Sequence, residues 1–137
     1  MLIKMIYSKL IILSETDAFR VKQLKSGLCW GKTQGNDMTL TSTCKDVFQF
    51  NQQSRMKHLS SGRWLRVSDE RTLSFGGSGG NAFVLFGGRA FMKLNSRSSG
   101  NCMIEKEDVV EVKSQNEIQD DKRCTGDERS IIKILPG

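Results

Sequence analysis

One short pattern occurs three times in this sequence and limits the folds that the chain can adopt. Each copy has a run that pairs an apolar residue with lysine, then a Ser-Gly turn, then a cysteine or tryptophan two residues after the glycine. These last residues are Cys29, Trp64 and Cys102, so the copies lie 35 and 38 residues apart. Self-similarity at a nearly fixed period indicates a repeat architecture, in which units that are unstable alone bury their apolar faces together.

The residues around these copies favour short β-strands. Proline occurs once, glycine occurs 13 times, and β-branched or aromatic residues stand in short runs bounded by Gly, Ser, Asn and Asp, which is typical of all-β proteins. Four strands are predicted in each unit, over residues 19–24, 28–30, 38–41 and 47–50, then 55–59, 64–67, 72–75 and 82–86, and finally 90–94, 102–104, 109–112 and 131–135.

Three four-stranded units leave few architectures. They can close around a threefold axis into a barrel whose strand edges are paired, so the sequence predicts an all-β fold of the β-trefoil type. A β-sandwich stays open as the alternative. With 137 residues the chain is long enough for one domain with its own core. We place this domain at 17–137, with repeats at about 17–53, 54–88 and 89–137.

The segment 1–16 requires a separate interpretation. Its apolar stretch from 2 to 13 is interrupted by Lys4 and Lys9 and is too short to span a bilayer. It is compatible with a first β-strand, with a truncated gene start, or with a secretory signal, although no cleavage site of small residues follows it. No other hydrophobic run reaches membrane length, so no transmembrane segment is predicted.

The cysteines support the division into three units. Cys29 and Cys44 lie in the first unit, Cys102 and Cys124 take the corresponding places in the third, and both are missing from the second. Loss as a pair favours the disulfides Cys29–Cys44 and Cys102–Cys124, although four cysteines allow three connectivities. Two disulfides imply an oxidising compartment and hence a secreted or extracellular protein. Four reduced cysteines in a cytoplasmic protein are the alternative, and the absence of a CxxC pair argues against a zinc site.

The order of these features resembles the ricin B-type β-trefoil lectins. The shared features are a turn, Gly-x-Cys, an apolar strand, a second Cys and an aromatic strand, and the resemblance covers 17–135. Each unit of that family carries Gln-x-Trp near its end. The matching stretches here are Asp46-Val47-Phe48, the neighbourhood of Phe83, and Ile131 or Ile132, without the Gln or the Trp. The resemblance implies a non-catalytic, carbohydrate-binding module that diverges from its family.

The family's sugar site does not transfer to this sequence. Ricin-type lectins bind galactose through an Asp just after the first Cys and an aromatic residue before the second. The positions that match the Asp are Gly31, Arg66 and Ile104, and none of them can accept hydrogen bonds from sugar hydroxyls. The aromatic position before Cys44 is Ser42. Any lectin activity must therefore use other groups.

The basic residues and a tryptophan are the candidate ligand-binding groups. The formal charge of +6 and the pI near 9.3 favour acidic partners. Lys22, Lys57 and Lys93 recur at one place in the unit with Arg66 nearby, so they are candidates for a basic face that binds sulfated glycans. These lysines are equally compatible with plain solvent exposure. Trp30 is either a barrel residue or an exposed surface on which a ligand stacks.

No enzyme, cofactor or metal site is predicted. His58 is the only histidine and is interpreted as a surface residue, so the sequence offers no Ser-His-Asp arrangement. The glycine-rich loop 76–81 lacks the Lys-Ser/Thr and the helix of a phosphate-binding loop, which favours a flexible hairpin loop. The acidic pairs at 120–121 and 127–128 lack the ligand spacing of a calcium loop.

Two functions follow for this chain. The first is a secreted, non-catalytic carbohydrate-binding module for acidic or sulfated glycans, which the resemblance to lectins favours. The second is a structural or protein-interaction β-trefoil that has lost sugar binding, which the missing family site favours. The expected partners are glycans or extracellular proteins, with no specific nucleic acid, and the sequence leaves the oligomeric state open.

Overall fold

The regular secondary structure of the described residues is almost all β-strand. The computed structural model describes residues 17–86, 88–94, 97–114 and 127–137. The strands are β1 (Phe19–Gln23), β2 (Cys29–Lys32), β3 (Met38–Thr41), β4 (Phe48–Phe50), β5 (Met56–His58), β6 (Arg63–Val67), β7 (Leu73–Gly76), β8 (Phe83–Phe86), β9 (Arg89–Leu94), β10 (Arg97–Lys106), β11 (Val109–Ser114) and β12 (Ile132–Pro136). A short 3-10 helix, Glu128–Ser130, precedes β12. Every predicted strand is present, and β10 begins earlier than expected.

Half of the strands form a closed ring. Antiparallel pairing joins β12 to β1, β1 to β4, β4 to β5, and β8 to β9. Single bridges complete the circle, between Arg55 and Ala82 from β5 to β8 and between Arg89 and Ile131 from β9 to β12. These six strands form a barrel, and its closure leaves no unpaired barrel edge.

The other six strands form three hairpins that cap the barrel. They are β2–β3, β6–β7 and β10–β11, and each donates one backbone hydrogen bond to another hairpin in cyclic order. The N–H donors and their C=O acceptors are Leu40 and Asp108 (2.8 Å), Phe75 and Asn36 (2.7 Å), and Val112 and Arg71 (2.7 Å). A six-stranded barrel with three hairpin caps is a β-trefoil, so this prediction is confirmed and the β-sandwich is wrong. The number of sequence repeats and their limits stay predictions.

The core lies inside the barrel and beneath the caps. Buried apolar residues recur at corresponding strand positions, because alternate side chains of each strand point to the same side. The recurring sets are Trp30, Leu65 and Met103; Met38, Leu73 and Val110; Leu40, Phe75 and Val112; and Phe48, Phe83 and Ile132. Phe48, Phe83 and Ile132, which lie in the stretches matched to Gln-x-Trp by sequence, are all buried.

Trp30 belongs to this core. Its side chain is 0% exposed, and its indole N–H donates to the Gln23 Oε1 atom at 2.9 Å. The Gln23 amide is also buried and donates to the Arg129 carbonyl at 3.0 Å. Trp30 therefore packs in the core from the cap strand β2, and its ring has no exposed surface on which a ligand could stack.

The first predicted disulfide is present. Cys29 and Cys44 are bonded across 15 residues. Cys102 is buried and disulfide-bonded, and its predicted partner Cys124 lies outside the described residues, as do segment 1–16 and the acidic pair at 120–121. Within the described ranges, no helix has the length and apolarity that a membrane-spanning helix needs.

Candidate functional site

A cleft lies between the second cap hairpin and the tip of the first. An antiparallel bridge between Asp37 and Ser74 joins these hairpins, and it includes the hydrogen bond from the Phe75 N–H to the Asn36 carbonyl. The cavity has a volume of about 390 Å³, which is within the usual range of small-molecule sites. Its lining residues are Asn36, Asp37, Arg63, Arg66, Ser68, Ser74, Phe75, Gly76 and Gly77.

Two arginines of β6 supply the positive charge of the cleft. A Cβ atom on Gly76 would lie 3.0 Å from the Arg66 Cδ atom and 3.2 Å from its Nη1 atom, so the Arg66 side chain lies directly over that glycine. The Arg63 Nη1 atom lies 3.9 Å from the corresponding position on Gly77. Neither guanidinium forms an ion pair or hydrogen bond with another described residue. Both can therefore bind a ligand anion.

Ser74 lines the same cleft and has an unused hydroxyl. The residue is 7% exposed, and Ser74 Oγ is the one buried side-chain polar atom of the described residues without a hydrogen-bond partner. It stands opposite Arg66 in the β6–β7 pairing. Buried polar groups in native proteins are nearly always hydrogen-bonded, so this hydroxyl is available to a water or to a ligand atom that enters the cleft.

The first hairpin contributes polar groups to the opposite wall. Asp37 and Asn36 are exposed, and Asp37 forms no ion pair with Arg63 or Arg66. An ionised carboxylate accepts hydrogen bonds, and an amide both donates and accepts. One wall of the cleft thus suits hydroxyl groups, and the other suits an anion.

The three positions that match the family's aspartate differ in their surroundings. A Cβ atom on Gly31 would lie 2.6 Å from the Thr41 Cγ2 atom and 2.7 Å from the Asp46 Oδ2 atom, so the space beside it is filled. Ile104 is buried. Arg66 alone of the three is exposed, and among the predicted site residues whose side chains are described it is the one that lines the cleft.

The three predicted lysines do not occupy equivalent positions. Lys22 pairs with Cys29 and Lys57 with Trp64, but the residue opposite Cys102 is Phe91. Lys93 pairs with Ser98 instead, because the β9–β10 pairing shifts between Ser98 and Cys102. The prediction of one recurring lysine position is therefore wrong for the third unit. The side chain of Lys93 lies outside the described residues, and ligand binding by these lysines stays a prediction.

His58 is buried, contrary to its interpretation as a surface residue. It is 3% exposed, its Nε2 atom lies 2.6 Å from Asp46 Oδ1, and its Nδ1 atom lies 2.7 Å from Ser61 Oγ. The ring also contacts Phe48 and Phe75, with centroids 5.6 and 5.3 Å away. The available signal was alternation, since Met56 and His58 are the two inward residues of β5.

This Ser-His-Asp chain is arranged for structure. The Gly62 N–H already donates to the His58 carbonyl at 2.8 Å, and the Arg63 N–H donates to Ser61 Oγ at 3.2 Å. These N–H groups beside Ser61 are therefore not free to bind an oxyanion. The ring is also reversed relative to serine proteases, in which Nε2 faces the serine. The network joins the segment before β4 to the β5–β6 turn.

The ion pair of Asp127 with Arg129 at the 3-10 helix shifts the pKa of both residues. Two hydrogen bonds from the Arg129 guanidinium, at 3.1 and 2.8 Å, hold the pKa of Asp127 below its usual value. The same contact raises the pKa of Arg129. Asp127 also accepts from the Arg129 backbone N–H, which caps the helix. Among the residues whose placement is described, no group of three or more His, Cys, Asp or Glu could hold a metal ion.

Comparison with known proteins identifies the fold. No family model and no curated protein matches the sequence. The C-terminal half of an earthworm R-type lectin, solved in complex with GalNAc, superposes with a TM-score of 0.64 at 12% identity, over 88% of this chain and 99% of that one. The mdaA-1 domain gives 0.67 at 13% identity, over 99% and 98% of the two chains.

An enzyme also contains this fold. The GlcNAcα1-4Gal-releasing endo-β-galactosidase of Clostridium perfringens matches with a TM-score of 0.62 at 8% identity. The match covers 89% of this chain and 33% of that one, so this chain spans about a third of the enzyme. The chain therefore has a ricin B-like β-trefoil fold, as the resemblance implied. Identities this low carry the fold alone, and function must be argued from the site.

Proposed function

We propose that this protein is an extracellular, non-catalytic carbohydrate-binding module whose ligand is an acidic sugar bound in the cleft of Arg63 and Arg66. The observation that carries the proposal is that two guanidinium groups and the Ser74 hydroxyl, none of which has a partner among the described residues, line one cavity. The fold supports it, since the earthworm lectin domain was solved with a sugar bound.

The two walls of the cleft bind different parts of such a sugar. Guanidinium groups bind sulfate or carboxylate oxygens through parallel hydrogen bonds, so Arg63 and Arg66 take the acidic substituent. The Ser74 hydroxyl rotates to donate to the same group. Asp37 and Asn36 bind the ring hydroxyls, whose hydrogen bonds a carboxylate and an amide can satisfy. In this proposal the carboxylate that binds the sugar ring is that of Asp37, on the neighbouring β2–β3 hairpin.

The location outside the cell is supported by the cysteines. The Cys29–Cys44 disulfide and the bonded state of Cys102 suit an oxidising compartment. The Ser61–His58–Asp46 chain lacks free neighbouring N–H donors for acyl transfer, which supports a binding role.

The test is calorimetric titration at low ionic strength with three sugars, namely galactose, galactose carrying one sulfate, and glucuronic acid. The two acidic sugars should bind more tightly than galactose. Arg66→Ala should weaken their binding about 10-fold or more, because a hydrogen bond to a charged group contributes roughly 1.5–3 kcal/mol. Lys133→Ala is the control, since Lys133 is an exposed cation of β12 outside the cleft lining.

Three results would oppose the proposal. Equal affinity for galactose and its sulfated form would mean a neutral-sugar site. Equal losses in Arg66→Ala and Lys133→Ala would mean attraction by net charge alone. Binding of none of the sugars would favour the protein-interaction alternative.

A further inference from the structure

A partly exposed tryptophan stands beside the cleft. Trp64 and Arg66 are two residues apart on β6, and the buried Leu65 lies between them. Alternate strand residues share a face, so the Trp64 and Arg66 side chains leave the same face about 7 Å apart along the strand. Trp64 is only half-buried, whereas Trp30 is fully enclosed. The partly exposed Trp64 ring therefore lies next to Arg66, at the edge of the cleft.

A row of residues across four strands joins this tryptophan to the cleft. Strand pairing aligns Gln49 with Lys57, Lys57 with Trp64, and Trp64 with Gly76. Gly76 is part of the cleft lining and carries no side chain. The surface therefore continues from the cleft, past Gly76, to Trp64 and Lys57.

Lys57 holds a defined position in this row. Its Nζ atom lies 5.8 Å from the centroid of the Trp64 ring, within the range of a cation–π contact. Among the described residues no carboxylate forms an ion pair with it. The ammonium group is thus positioned by an aromatic ring and is free to bind an anion.

We propose that Trp64 and Lys57 form an extension subsite for the next sugar unit of an acidic oligosaccharide. Trp64 offers the apolar contact on which a pyranose ring packs, and Lys57 binds the acidic group of that sugar. The inference rests on the proposed function, because the first acidic sugar must occupy the Arg63 and Arg66 cleft. It makes the preferred ligand a glycan with acidic groups on successive sugar units.

The corresponding place in the first unit lacks these features. Lys22 pairs with Cys29 and Lys133, whereas Lys57 pairs with Trp64 and Gln49, so no aromatic residue is paired with Lys22 across the strands. The next residue on that face is Gly31, with Thr41 and Asp46 filling the space beside it. Lys22 is therefore a matched control for Lys57, with the same charge and strand position and no adjoining cleft.

The experiment compares two ligands by calorimetric titration of the oxidised full chain. One is galactose carrying a single sulfate, and the other is a disaccharide of a uronic acid and sulfated N-acetylgalactosamine. The disaccharide should bind at least about 10-fold more tightly than the monosaccharide. Lys57→Gln should reduce this gain about threefold or more and weaken its salt dependence, whereas Lys22→Gln should leave both unchanged. Trp64→Leu, which keeps an apolar side chain for folding, should also reduce the gain.

The possible failures are distinguishable. If the monosaccharide binds and Arg66→Ala removes that binding, but the disaccharide has no advantage, the extension subsite is wrong and the proposed function stands. A disaccharide gain that survives in both Lys57→Gln and Trp64→Leu would likewise overturn the subsite alone. If neither ligand binds, both proposals are overturned. Equal effects of Lys22→Gln and Lys57→Gln would replace the subsite with a diffuse basic face.

Discussion

Replacing Ser74 with alanine should make the free protein more stable and its acidic ligands bind more weakly. The Ser74 hydroxyl is buried without a partner, and a buried hydroxyl left unsatisfied costs about 1–3 kcal/mol. Alanine removes that cost and leaves a void of only one oxygen atom. We therefore expect the free energy of unfolding to rise by about 1 kcal/mol, the lower end of that range.

The same substitution removes one donor from the cleft. A hydrogen bond to an ionised group contributes roughly 1.5–3 kcal/mol, so the affinity for sulfated galactose should fall about 10-fold. The opposite signs of the two effects are the informative part of this prediction. They separate a hydroxyl kept for a ligand from one that only packs against its neighbours.

Urea denaturation and calorimetric titration measure the two effects. With a denaturant slope of about 2 kcal/mol per M, a gain of about 1 kcal/mol raises the urea midpoint by about 0.5 M. Thr39→Val is the matched control, because Thr39 faces Gly31 in the first hairpin as Ser74 faces Arg66 in the second. The Thr39 hydroxyl is hydrogen-bonded to the Asp108 carbonyl at 3.2 Å, so its loss should not stabilise the fold or change ligand affinity.

A Ser74→Ala protein that is less stable than the parent would refute this reasoning about the free state. Unchanged affinity would refute the role of the hydroxyl in binding. If Thr39→Val gained as much stability as Ser74→Ala, the gain would have to be assigned to general strand packing.

Three further predictions concern the stability of the fold. His58→Ala should lower the free energy of unfolding by about 3–5 kcal/mol, because it leaves the nearly buried Asp46 carboxylate without its partner. The measurement is the urea midpoint, and a shift smaller than that of a surface substitution would contradict the prediction. Cys44→Ser removes the disulfide to Cys29 and should cost about 3 kcal/mol for a loop of 15 residues, a cost that should vanish when parent and variant are compared under reducing conditions. The Arg129 guanidinium lowers the pKa of Asp127 below 3.8, so the ionised carboxylate stabilises the fold above that value and this contribution is lost as pH falls through the folded-state pKa. Asp127→Asn should therefore lower the Tm at about pH 6 and not at about pH 2, and an equal loss at both would exclude linkage to this carboxylate.

The strands and their arrangement could be predicted because they depend on local patterns. Turn residues bound each short apolar run, and the threefold recurrence predicted how the runs combine. The pairing of β9 with β10 could not be predicted in the same way. The extra residues between Lys93 and Cys102 shift that pairing, so spacing alone placed Lys93 where Phe91 lies.

Burial was harder to predict than strand position. The Trp30 ring has one polar atom and the His58 ring has two, and a sequence does not reveal whether those atoms find partners inside the protein. Gln23 provides the partner for Trp30 from the adjacent strand, and Asp46 provides the partner for His58. Once these hydrogen bonds are satisfied, both rings can be buried.

The cleft was missed because it forms between hairpins that are distant in sequence. Arg66 was a candidate, but its neighbours Asn36 and Asp37 come from another unit. Arg63 belongs to no sequence motif that indicates a binding site. No sequence pattern indicates Ser74, because what distinguishes it is that its hydroxyl has no hydrogen-bond partner among the described residues. Contacts between hairpins therefore decide where the site lies, and the repeat pattern describes only what lies within each unit.

The cyclic hydrogen bonds between the cap hairpins bear on how such a chain can be shortened or extended. Each hairpin both donates and accepts, so the series has no first or last member. A chain cut after the second unit would leave the Leu40 N–H without the Asp108 carbonyl and the Arg71 carbonyl without the Val112 N–H. Open repeat proteins can lose a unit and keep their remaining contacts. In this protein the loss of one unit would break two of the three hydrogen bonds between hairpins, so we expect changes of length within 17–137 to be tolerated best in the loops between strands.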